Sequence, residues 1–462
     1  MKPEINIFIH RRDYRINDNS SLNLLIDKYP NIPIMHIFIF NPKQIDFDKN
    51  QYFNENCVEF MIQSLKSLRD ELKDAFYFFY GSDSDVLKKL ISIYRVNCIA
   101  WNLDYTPFAR ARDMNLSKWC EQIKIESLSY EDYTLFKLGH ILTGSKKPYE
   151  IYTPFANKCI ANIEDISKPI TKTALIFNTK PPNTIKNIDK FYNTSNPNLK
   201  VKGGRHNALE ILSQIRKGYY KNYEYARDFP NLDKTTKLAA YIKFGCVSIR
   251  EVFYAFKDTY GNKHGLVREL LFREFYSQAT WHYPDVLNGK PFKSIDLKWN
   301  YKKEWYDNIL GAKTGYPIID AAIRELKTTG WMNNRLRMVV ASFITKDLMM
   351  DWHIFEKDLF ARYLVDYDPS VNCHSWQGMA SVGIGAGPYW RIINPWRQTE
   401  RFDKNCEYIK LYIPELANIK PIIIRNWRIQ LVNLVHNYPS PMVDHEEQVK
   451  LYLEYYKSHS KT

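Results

Sequence analysis

One segment with helical periodicity, over residues 266–277, carries polar and aromatic side chains on a single face. These side chains recur at i, i+3, i+4 and i+7, and they are Glu269, Phe272, Arg273 and Tyr276. The remainder of the segment is largely apolar, and a charge buried there without a partner would cost free energy. The face is therefore predicted to meet polar groups outside its own helix.

A second segment, predicted as a helix over residues 334–350, repeats this arrangement. Its shared face consists of Asn334, Arg337, Met338 and Ala341. Asp366 and Asp368 flank Tyr367 in a predicted loop and are natural partners for Arg337. The spacing alone fits a purely structural ion pair equally well.

The tryptophans are concentrated in the second half of the chain. Nine of the 11 follow residue 280, namely Trp281, Trp299, Trp305, Trp331, Trp352, Trp376, Trp390, Trp396 and Trp427. A helical core that uses large aromatics would account for each one alone. The cluster as a whole favours stacking of something flat, either bases or a cofactor ring.

Two further segments could contact phosphates. Residues 289–303 interleave aromatics with five lysines against one acid, which gives a local charge of +4: Lys290, Lys293, Lys298, Lys302, Lys303 and Asp296. The segment 233–240 is predicted to begin a helix with the hydroxyls of Thr235 and Thr236, which suit a phosphate. A solvated loop and ordinary N-capping are the alternatives for the two segments.

Composition limits the class of protein. The chain has 462 residues, of which 45% are hydrophobic and 25% are charged, so two or three globular domains are predicted. A mean hydropathy of -0.44 argues against an integral membrane protein. The formal net charge of +14 favours a polyanionic partner, although an AT-rich coding bias would also enrich lysine.

The cysteines and the first residues of the sequence indicate the cellular compartment. None of the seven cysteines forms a CxxC pair, so reduced thiols are predicted, with neither a disulfide framework nor a metal site. Residues 1–9 form a short strand-like segment and not a signal peptide. We therefore expect a cytoplasmic or nuclear protein.

The fold class follows from alternating patterns in the first 130 residues. Strands are predicted at 5–9, 34–40, 76–80, 98–101 and 123–128, with helical stretches such as 59–72 and 86–94 between them. This alternation predicts an α/β domain with a doubly wound parallel sheet over residues 1–130. Residues 131–200 are predicted to be an inter-domain linker, and residues 201–462 a large all-α domain.

Ordered motifs run along almost the whole chain. They are 10–19 (HRRDYRINDN), 227–230 (RDFP), 235–239 (TTKLA), 243–245 (KFG), 273–276 (REFY), 313–317 (KTGYP), 330–338 (GWMNNRLRM), 341–347 (ASFITKD), 366–368 (DYD), 394–395 (NP) and 408–416 (YIKLYIPEL). Together they resemble the DNA photolyase/cryptochrome family, most closely the class I cyclobutane pyrimidine dimer photolyases. The first domain would then be of the antenna type, and the last would bind FAD and DNA.

The resemblance implies a folded FAD, active in its reduced form, FADH⁻. By motif position its surrounding residues would be Tyr223, Thr235, Thr236, Lys237, Leu238, Ala239, Arg273, Arg337, Asp366, Asp368 and Asn372. Arg337 and Asp366 would flank the flavin ring, and Asn372 would lie beside its N5. Ala239 stands where the family usually has Ser, which removes at most one phosphate contact, worth about 1 kcal/mol.

The implied reaction is light-driven splitting of a cyclobutane pyrimidine dimer that is flipped out of damaged DNA. The residues matched to catalysis are Glu269, Asn334 and Met338 in the lesion pocket, with Trp376, Trp352 and Trp299 as an electron-transfer chain. The residues matched to DNA contact are Arg227, Phe272, Tyr276, Arg335, Arg397 and Gln398. A monomer without an obligate protein partner and without a membrane is expected. The alternative is a blue-light cryptochrome that binds FAD without repair.

Two departures from the family pattern concern the substrate and the antenna. The tryptophans that usually sandwich the dimer read Phe272 and Gly378, so we expect weaker discrimination of damaged DNA unless Trp390, Trp396 or another ring compensates. The Asn-Glu pair that holds a folate antenna in some members reads Phe108-Ala109, and a lysine used there aligns near Asn288. A deazaflavin, a folate held differently, a second flavin or no antenna at all remain open.

Overall fold

The computed structural model describes residues 2–293, 295, 297–428 and 437–459. The chain forms two compact units. Unit 1 consists of Met1–Asn196, Val201–Tyr219 and Lys237–Pro284, and unit 2 of Pro197–Lys200, Tyr220–Thr236 and Asp285–Thr462. The boundaries expected from the sequence, 1–130, 131–200 and 201–462, stay a prediction.

Unit 1 contains a parallel sheet of five strands in the order β3-β2-β1-β4-β5. The strands are β1 (Glu4–Ile9), β2 (Ile34–Phe40), β3 (Phe76–Tyr80), β4 (Arg95–Leu103) and β5 (Glu126–Glu131). The register pairs Ile7 with Met35 in β2 and with Ile99 in β4. β1, β2 and β3 are almost entirely buried and predominantly apolar, which is why short apolar runs predicted them, although β2 includes the buried His36. The edge strand β5 is polar and half-exposed, and it begins at Glu126, whereas a strand was predicted at 123–128. The doubly wound α/β prediction is confirmed.

Helices cover both faces of the sheet, and polar side chains start several of them. They are α1 (Ser20–Lys28), α2 (Pro42–Ile45), α3 (Glu55–Glu71), α4 (Asp83–Ile93) and α5 (Pro107–Gln122). Asn19, Asn54 and Ser82 each accept a backbone N–H in the first turn of the helix that follows. Apolar clusters pack on the sheet beneath these helices.

The other helices of unit 1 are α6 (Tyr152–Ala161), α7 (Arg205–Arg216), α9 (Leu238–Lys243), α10 (Ile249–Tyr260) and α11 (Gly265–His282). Most of residues 162–204 is irregular. The segment expected as a linker contains α6, and Ile176 in the same segment forms a parallel bridge with Ile34 of β2. α11 places the polar face identified in the sequence on one continuous helix.

Unit 2 is helical in its described part. It contains α8 (Tyr223–Ala226), α12 (Lys303–Leu310), α13 (Pro317–Thr329), α14 (Asn334–Ser342), α15 (Trp352–Phe355), α16 (Pro369–Met379), α17 (Pro395–Phe402), α18 (Glu407–Tyr412), α19 (Pro421–Arg425) and α20 (His445–His459). The helix predicted over 334–350 changes at Phe343 into a π-helix that ends at Asp347. A second π-helix spans Glu356–Ala361. π-helical turns often accompany functional sites.

All seven cysteines are free thiols, and six of them are buried. None of the helices that the structure describes is both long enough and apolar enough to cross a bilayer.

Candidate functional site

In unit 2, Arg337 on α14 is fixed by an ion pair with Asp366. Its Nη2 lies 3.1 and 3.0 Å from the two carboxylate oxygens of Asp366, and its Nε donates to the carbonyl oxygen of Met332 at 2.9 Å. The guanidinium also lies 5.2 Å from the ring centre of Trp331. Asp366 is therefore the acid that the polar face of α14 required.

Asp368, the other acid proposed for Arg337, begins α16. Its carboxylate accepts the backbone N–H of Val371 as an N-cap, and its carbonyl oxygen accepts Nδ2 of Asn372 at 3.2 Å. Asp368, Asn372 and Trp376 follow one another at intervals of four residues and thus share a face of the helix. Asp366, Asp368 and Asn372 are all buried.

The donors on these elements fit a planar group that is rich in acceptor atoms. Arg337 offers guanidinium N–H groups, and Asn372 offers an amide. The indole Nε1 of Trp376 is buried without a hydrogen-bond partner in the described part of the chain. A buried N–H without a partner is costly in a folded protein, so an acceptor supplied by a bound group such as a flavin fits here.

Three tryptophans form a gradient of burial in unit 2. Trp376 and Trp352 are each 1% exposed and belong to the same apolar cluster, and Trp299 is half-buried and packs against that cluster. The ring of Trp376 meets Phe360 edge-on at 4.9 Å. The set therefore extends from the interior of the unit to its surface.

A buried acid that the sequence did not single out lies in the same unit. Burial raises the pKa of Glu356 to about 7. The pKa of the Cys373 thiol is also raised. The larger cause is its burial, and the smaller is the charge of Glu356. In the sequence, Glu356 precedes Lys357 in an ordinary helical pattern, and no local signal marks it as buried.

The threonine segment differs from its prediction. The helix begins at Leu238 and not at 233, and its N-cap is Lys237, whose φ is 53° and whose side chain makes no capping hydrogen bond. Thr235 and Thr236 therefore precede the helix and do not cap it. They lie with Tyr223 in unit 2, while Lys237, Leu238 and Ala239 lie in unit 1.

In unit 1, α11 presents the half-buried residues Glu269, Phe272, Arg273 and Tyr276 on one side. Arg273 donates to the carbonyl oxygen of Tyr133 at 2.9 Å, and its guanidinium lies 3.7 Å from the centre of the Tyr133 ring. Phe272 stacks on Tyr152 of α6. Tyr133 and Tyr152 were not identified from the sequence, because each lies more than a hundred residues from α11 along the chain.

Tyr133 also borders a small crevice at the carboxyl ends of β1 and β4. This is the point where the strand order reverses, and open α/β sheets bind ligands at such a point. The crevice holds about 20 Å³ and is lined by Arg11, Arg12, Asn102, Leu103, Asp104, Asp132 and Tyr133. The guanidinium of Arg12, one of the lining residues, lies 4.1 Å from the Tyr133 ring centre. Phe108 of the expected antenna motif is exposed on α5.

Several of the basic residues expected to contact DNA already have acidic neighbours. Arg335 donates to Asp228 at 2.6 Å, Lys290 to Asp285 at 2.7 Å and Lys303 to Asp307 at 2.9 Å. Such exposed or half-exposed pairs contribute little to stability and can exchange for phosphate. Asp296 lies outside the described residues.

The other residues matched to DNA or lesion contact lie at or near the surface of unit 2. Asn334 and Arg397 are exposed, while Arg227, Met338 and Gln398 are half-buried. All of them remain candidates for contact.

The two tryptophans that could compensate for Gly378 differ in their exposure. Trp396 is buried and packs 4.7 Å from Tyr316, so its faces serve the core. Trp390 is 64% exposed. A Cβ added at Gly378 would meet nothing within 4 Å, so that position opens onto free space.

No group of three or more His, Cys, Asp or Glu side chains that could hold a metal ion occurs among the residues that the structure describes.

Comparison with known proteins assigns the chain to a family. Residues 6–174 match the model of the DNA photolyase family, and residues 266–458 match the FAD binding domain of DNA photolyase. A deoxyribodipyrimidine photo-lyase of Alkalihalophilus pseudofirmus is 32% identical, with 97% of this chain and 96% of that protein covered.

Solved structures agree with this assignment. A photolyase from Sulfolobus tokodaii that contains two FAD molecules superimposes with a TM-score of 0.85 at 33% identity, over 98% of this chain and all of that one (100%). A cryptochrome of Synechocystis sp. PCC6803 also gives a TM-score of 0.85, at 22% identity over 98% of this chain and 99% of that one, which shows the fold alone. This chain belongs to the DNA photolyase family and includes that family's FAD binding domain.

Proposed function

We propose that this chain is a deoxyribodipyrimidine photo-lyase that splits cyclobutane pyrimidine dimers in damaged DNA. The observation that carries the proposal is the 32% identity, along almost the entire chain, to a protein named for that activity. The donor set around Arg337, Asn372 and Trp376 supports it, because it suits a flavin. The basic composition of the chain supports a nucleic-acid partner.

FAD in its reduced form, FADH⁻, is the cofactor of this proposal, and when excited by light it supplies the electron that opens the dimer. Arg337 and Asp366 would hold the flavin ring from α14 and the loop before α16. Asn372 would offer its amide beside N5. Tyr223, Thr235, Thr236, Lys237, Leu238, Ala239, Arg273 and Asp368 complete the proposed cofactor-binding set.

By motif position, the residues proposed to contact the dimer are Glu269, Phe272, Asn334 and Met338. Glu269 would hydrogen-bond the lesion, and Phe272 would stack on a flipped base, a contact worth about 1–3 kcal/mol. Asn334 and Met338 would border the lesion from α14. The DNA strand would be contacted by Arg227, Tyr276, Arg335, Arg397 and Gln398. Contacts to phosphate fix the position of the DNA but do not read its base sequence.

Trp376, Trp352 and Trp299 would provide oxidisable rings between the interior of unit 2 and the solvent. Their burial supports this role, since the outermost ring has access to an external reductant and the inner two are shielded from water.

Domain organisation, assembly and antenna belong to the same proposal. Residues 1–130 would form the antenna-type domain, residues 131–200 the linker and residues 201–462 the FAD- and DNA-binding domain of a monomer inside the cell. The Sulfolobus tokodaii photolyase contains two FAD molecules, so a second flavin is one candidate antenna beside a deazaflavin or a folate.

The test is illumination of the reduced protein with an oligonucleotide that contains one thymine dimer. Repair should occur in the light and not in the dark. The Glu269→Ala variant should repair with lower yield while its flavin absorption spectrum is unchanged. Absence of light-dependent repair by protein that contains FADH⁻ would overturn the proposal. A cryptochrome without repair activity, the alternative, is not favoured, since the likeness to a cryptochrome extends to the fold only.

A further inference from the structure

We propose that Tyr152 is a positioning residue of the lesion-binding surface: it lies against one face of Phe272 and holds that ring so that the opposite face is presented to a pyrimidine dimer. This inference rests on the proposed function and extends it to a residue of α6, outside the helices on which the lesion contacts were placed.

The two rings are stacked face to face. The centroid of the Tyr152 ring lies 3.5 Å from that of Phe272, and the ring planes differ by 4°. This separation is van der Waals contact, so nothing can insert between the two rings. One face of Phe272 is therefore covered by the protein, and a base can stack only on the other face or on an edge.

The hydroxyl of Tyr152 ties the pair to α11. It donates to the carbonyl oxygen of Arg268 at 3.0 Å, and Arg268 lies one helical turn before Phe272. A carbonyl oxygen has two lone pairs, so it can accept this bond in addition to the bond within the helix. The anchor and the stacked ring belong to the same helix, so Tyr152 is fixed to α11 at two points.

A third ring limits the position of Tyr152 from the side. Phe275 meets Tyr152 at 6.0 Å with an interplanar angle of 78°, and it also contacts Phe155 of α6 at 5.3 Å. A directly superimposed ring pair is less favourable than an offset pair. The arrangement is therefore held by the hydroxyl anchor and by Phe275, and not by ring–ring attraction alone.

The hydroxyl remains a donor over the working pH range. Burial, followed by the negative charge of Glu269, raises the pKa of Tyr152. Tyr152, Phe272 and Phe275 form one aromatic cluster within unit 1, and Glu269 lies on the same helix as Phe272 and Phe275.

The cluster accounts for a phenylalanine at a position where the family usually has a tryptophan. A phenylalanine on a half-exposed helix face would lose side-chain freedom when a base stacks on it, and this loss weakens binding. A ring that is already fixed by a neighbour loses little. Tyr152 therefore supplies preorganisation that a larger side chain would provide through its own packing.

The experiment compares Tyr152→Leu with Tyr152→Phe. Affinities for an oligonucleotide with one thymine dimer and for its undamaged counterpart are measured at fixed salt with the FAD-loaded full chain. Tyr152→Leu should lower the preference for damaged DNA by about fivefold, with affinity for undamaged DNA and the flavin spectrum unchanged. Tyr152→Phe keeps the ring and should change the preference by less than about twofold.

Phe272→Leu provides the matched control. In that background Tyr152→Leu should cause no further loss of preference, because there is no ring left to position. A purely structural role would lower both affinities together, and that result would overturn the proposal. A preference that survives Tyr152→Leu would overturn it as well.

Failure of the proposed function is a separate result. A parent chain that does not prefer dimer-containing DNA would overturn both the photo-lyase proposal and this role. If Tyr152→Leu no longer retains its flavin, Tyr152→Met is used in its place, because methionine keeps most of the side-chain volume. The expected loss of preference for damaged DNA is the same. The ring contact can also be tested without DNA, from the shift that each variant causes in the thermal unfolding midpoint. The shift of the double variant at 152 and 272 should differ from the sum of the two single shifts, and a simple sum would contradict the ring contact.

Discussion

Arg337 and Asp366 form an ion pair in which one guanidinium nitrogen, Nη2, lies 3.1 and 3.0 Å from both carboxylate oxygens. The pair joins α14 to the loop that precedes α16, and these two elements carry most of the proposed flavin contacts in unit 2. The remaining guanidinium nitrogen, Nη1, is a further donor from a group whose position is already fixed. The pair should therefore control retention of the flavin more than it controls folding.

The first prediction concerns Asp366→Asn. The variant removes the charge that orients Arg337, and the loss of a charge-assisted hydrogen bond costs roughly 2 kcal/mol. FAD should dissociate more readily by between about tenfold and a hundredfold. The measurement is the ratio of flavin absorbance to protein after dialysis at several free FAD concentrations. Glu304→Gln, an exposed acid on α12, is the control, and equal flavin retention in the two variants would contradict the prediction.

Asp368 has a separable structural role as the N-cap of α16. Asp368→Ala should lower the free energy of unfolding by about 1 kcal/mol, while Asp368→Asn or Asp368→Ser keeps an acceptor and should lose only part of that. Urea unfolding of the three variants measures this order. Equal stability of the alanine and asparagine variants would indicate that the cap bond contributes nothing measurable.

Gly378 offers a gain of function. Its Cβ position is open, so the first side-chain atom of Gly378→Trp meets no neighbour within 4 Å. The variant returns a stacking ring at a position where the family usually has one. A base–aromatic stack of about 1–3 kcal/mol would raise the preference for dimer-containing DNA by at least about fivefold. Competition binding with damaged and undamaged oligonucleotides measures the change. Gly378→Leu controls for bulk, and a similar gain there would show that stacking is not the cause.

The tryptophan set gives a prediction that separates photoreduction from repair. Trp352→Phe removes the middle ring of the proposed chain and should abolish most light-driven reduction of oxidised flavin. The same variant, reduced chemically beforehand, should still repair dimers at close to the parental yield. Trp396→Phe is the matched control, since Trp396 belongs to the same apolar cluster but is not part of the chain. Loss of photoreduction in both variants would point to general destabilisation.

The sequence predicted those features that local chemistry determines. The runs 34–40 and 76–80 match β2 and β3 residue for residue, because parallel strands buried on both faces are predominantly apolar. The pairing of Arg337 with an acid was predictable for a similar reason: the polar face of a mostly apolar helix requires a partner. The start of the helix after the threonine segment was harder to predict. Lys237 adopts a left-handed backbone conformation that residue propensity does not indicate, and α9 therefore starts at Leu238 and not at 233.

Contacts distant in sequence were not predictable. Two such contacts are made by Tyr133, which lies under Arg273, and by Tyr152, which lies under Phe272. Both tyrosines are in the segment predicted as a linker, and no local sequence pattern marks either of them as a contact residue. Glu356 was missed for a related reason, because only the packing of unit 2 buries it. These three residues depend on tertiary structure, and two of them touch side chains that the sequence had assigned to the site.

The pKa of Glu356 gives the last prediction. Burial raises it to about 7, whereas the pKa of an unfolded glutamate is about 4.3. Between these values the folded chain keeps the proton that the unfolded chain has released, so the free energy of unfolding falls as pH rises through this range and levels off above it. Glu356→Gln resembles the protonated acid in shape but does not titrate. The stability of the parent relative to this variant should therefore decrease on the order of 3 kcal/mol between about pH 4 and about pH 8. Urea unfolding of both proteins at the two pH values measures the difference, because both retain every other titrating group. A difference that does not change with pH would show that folding does not raise the pKa of Glu356.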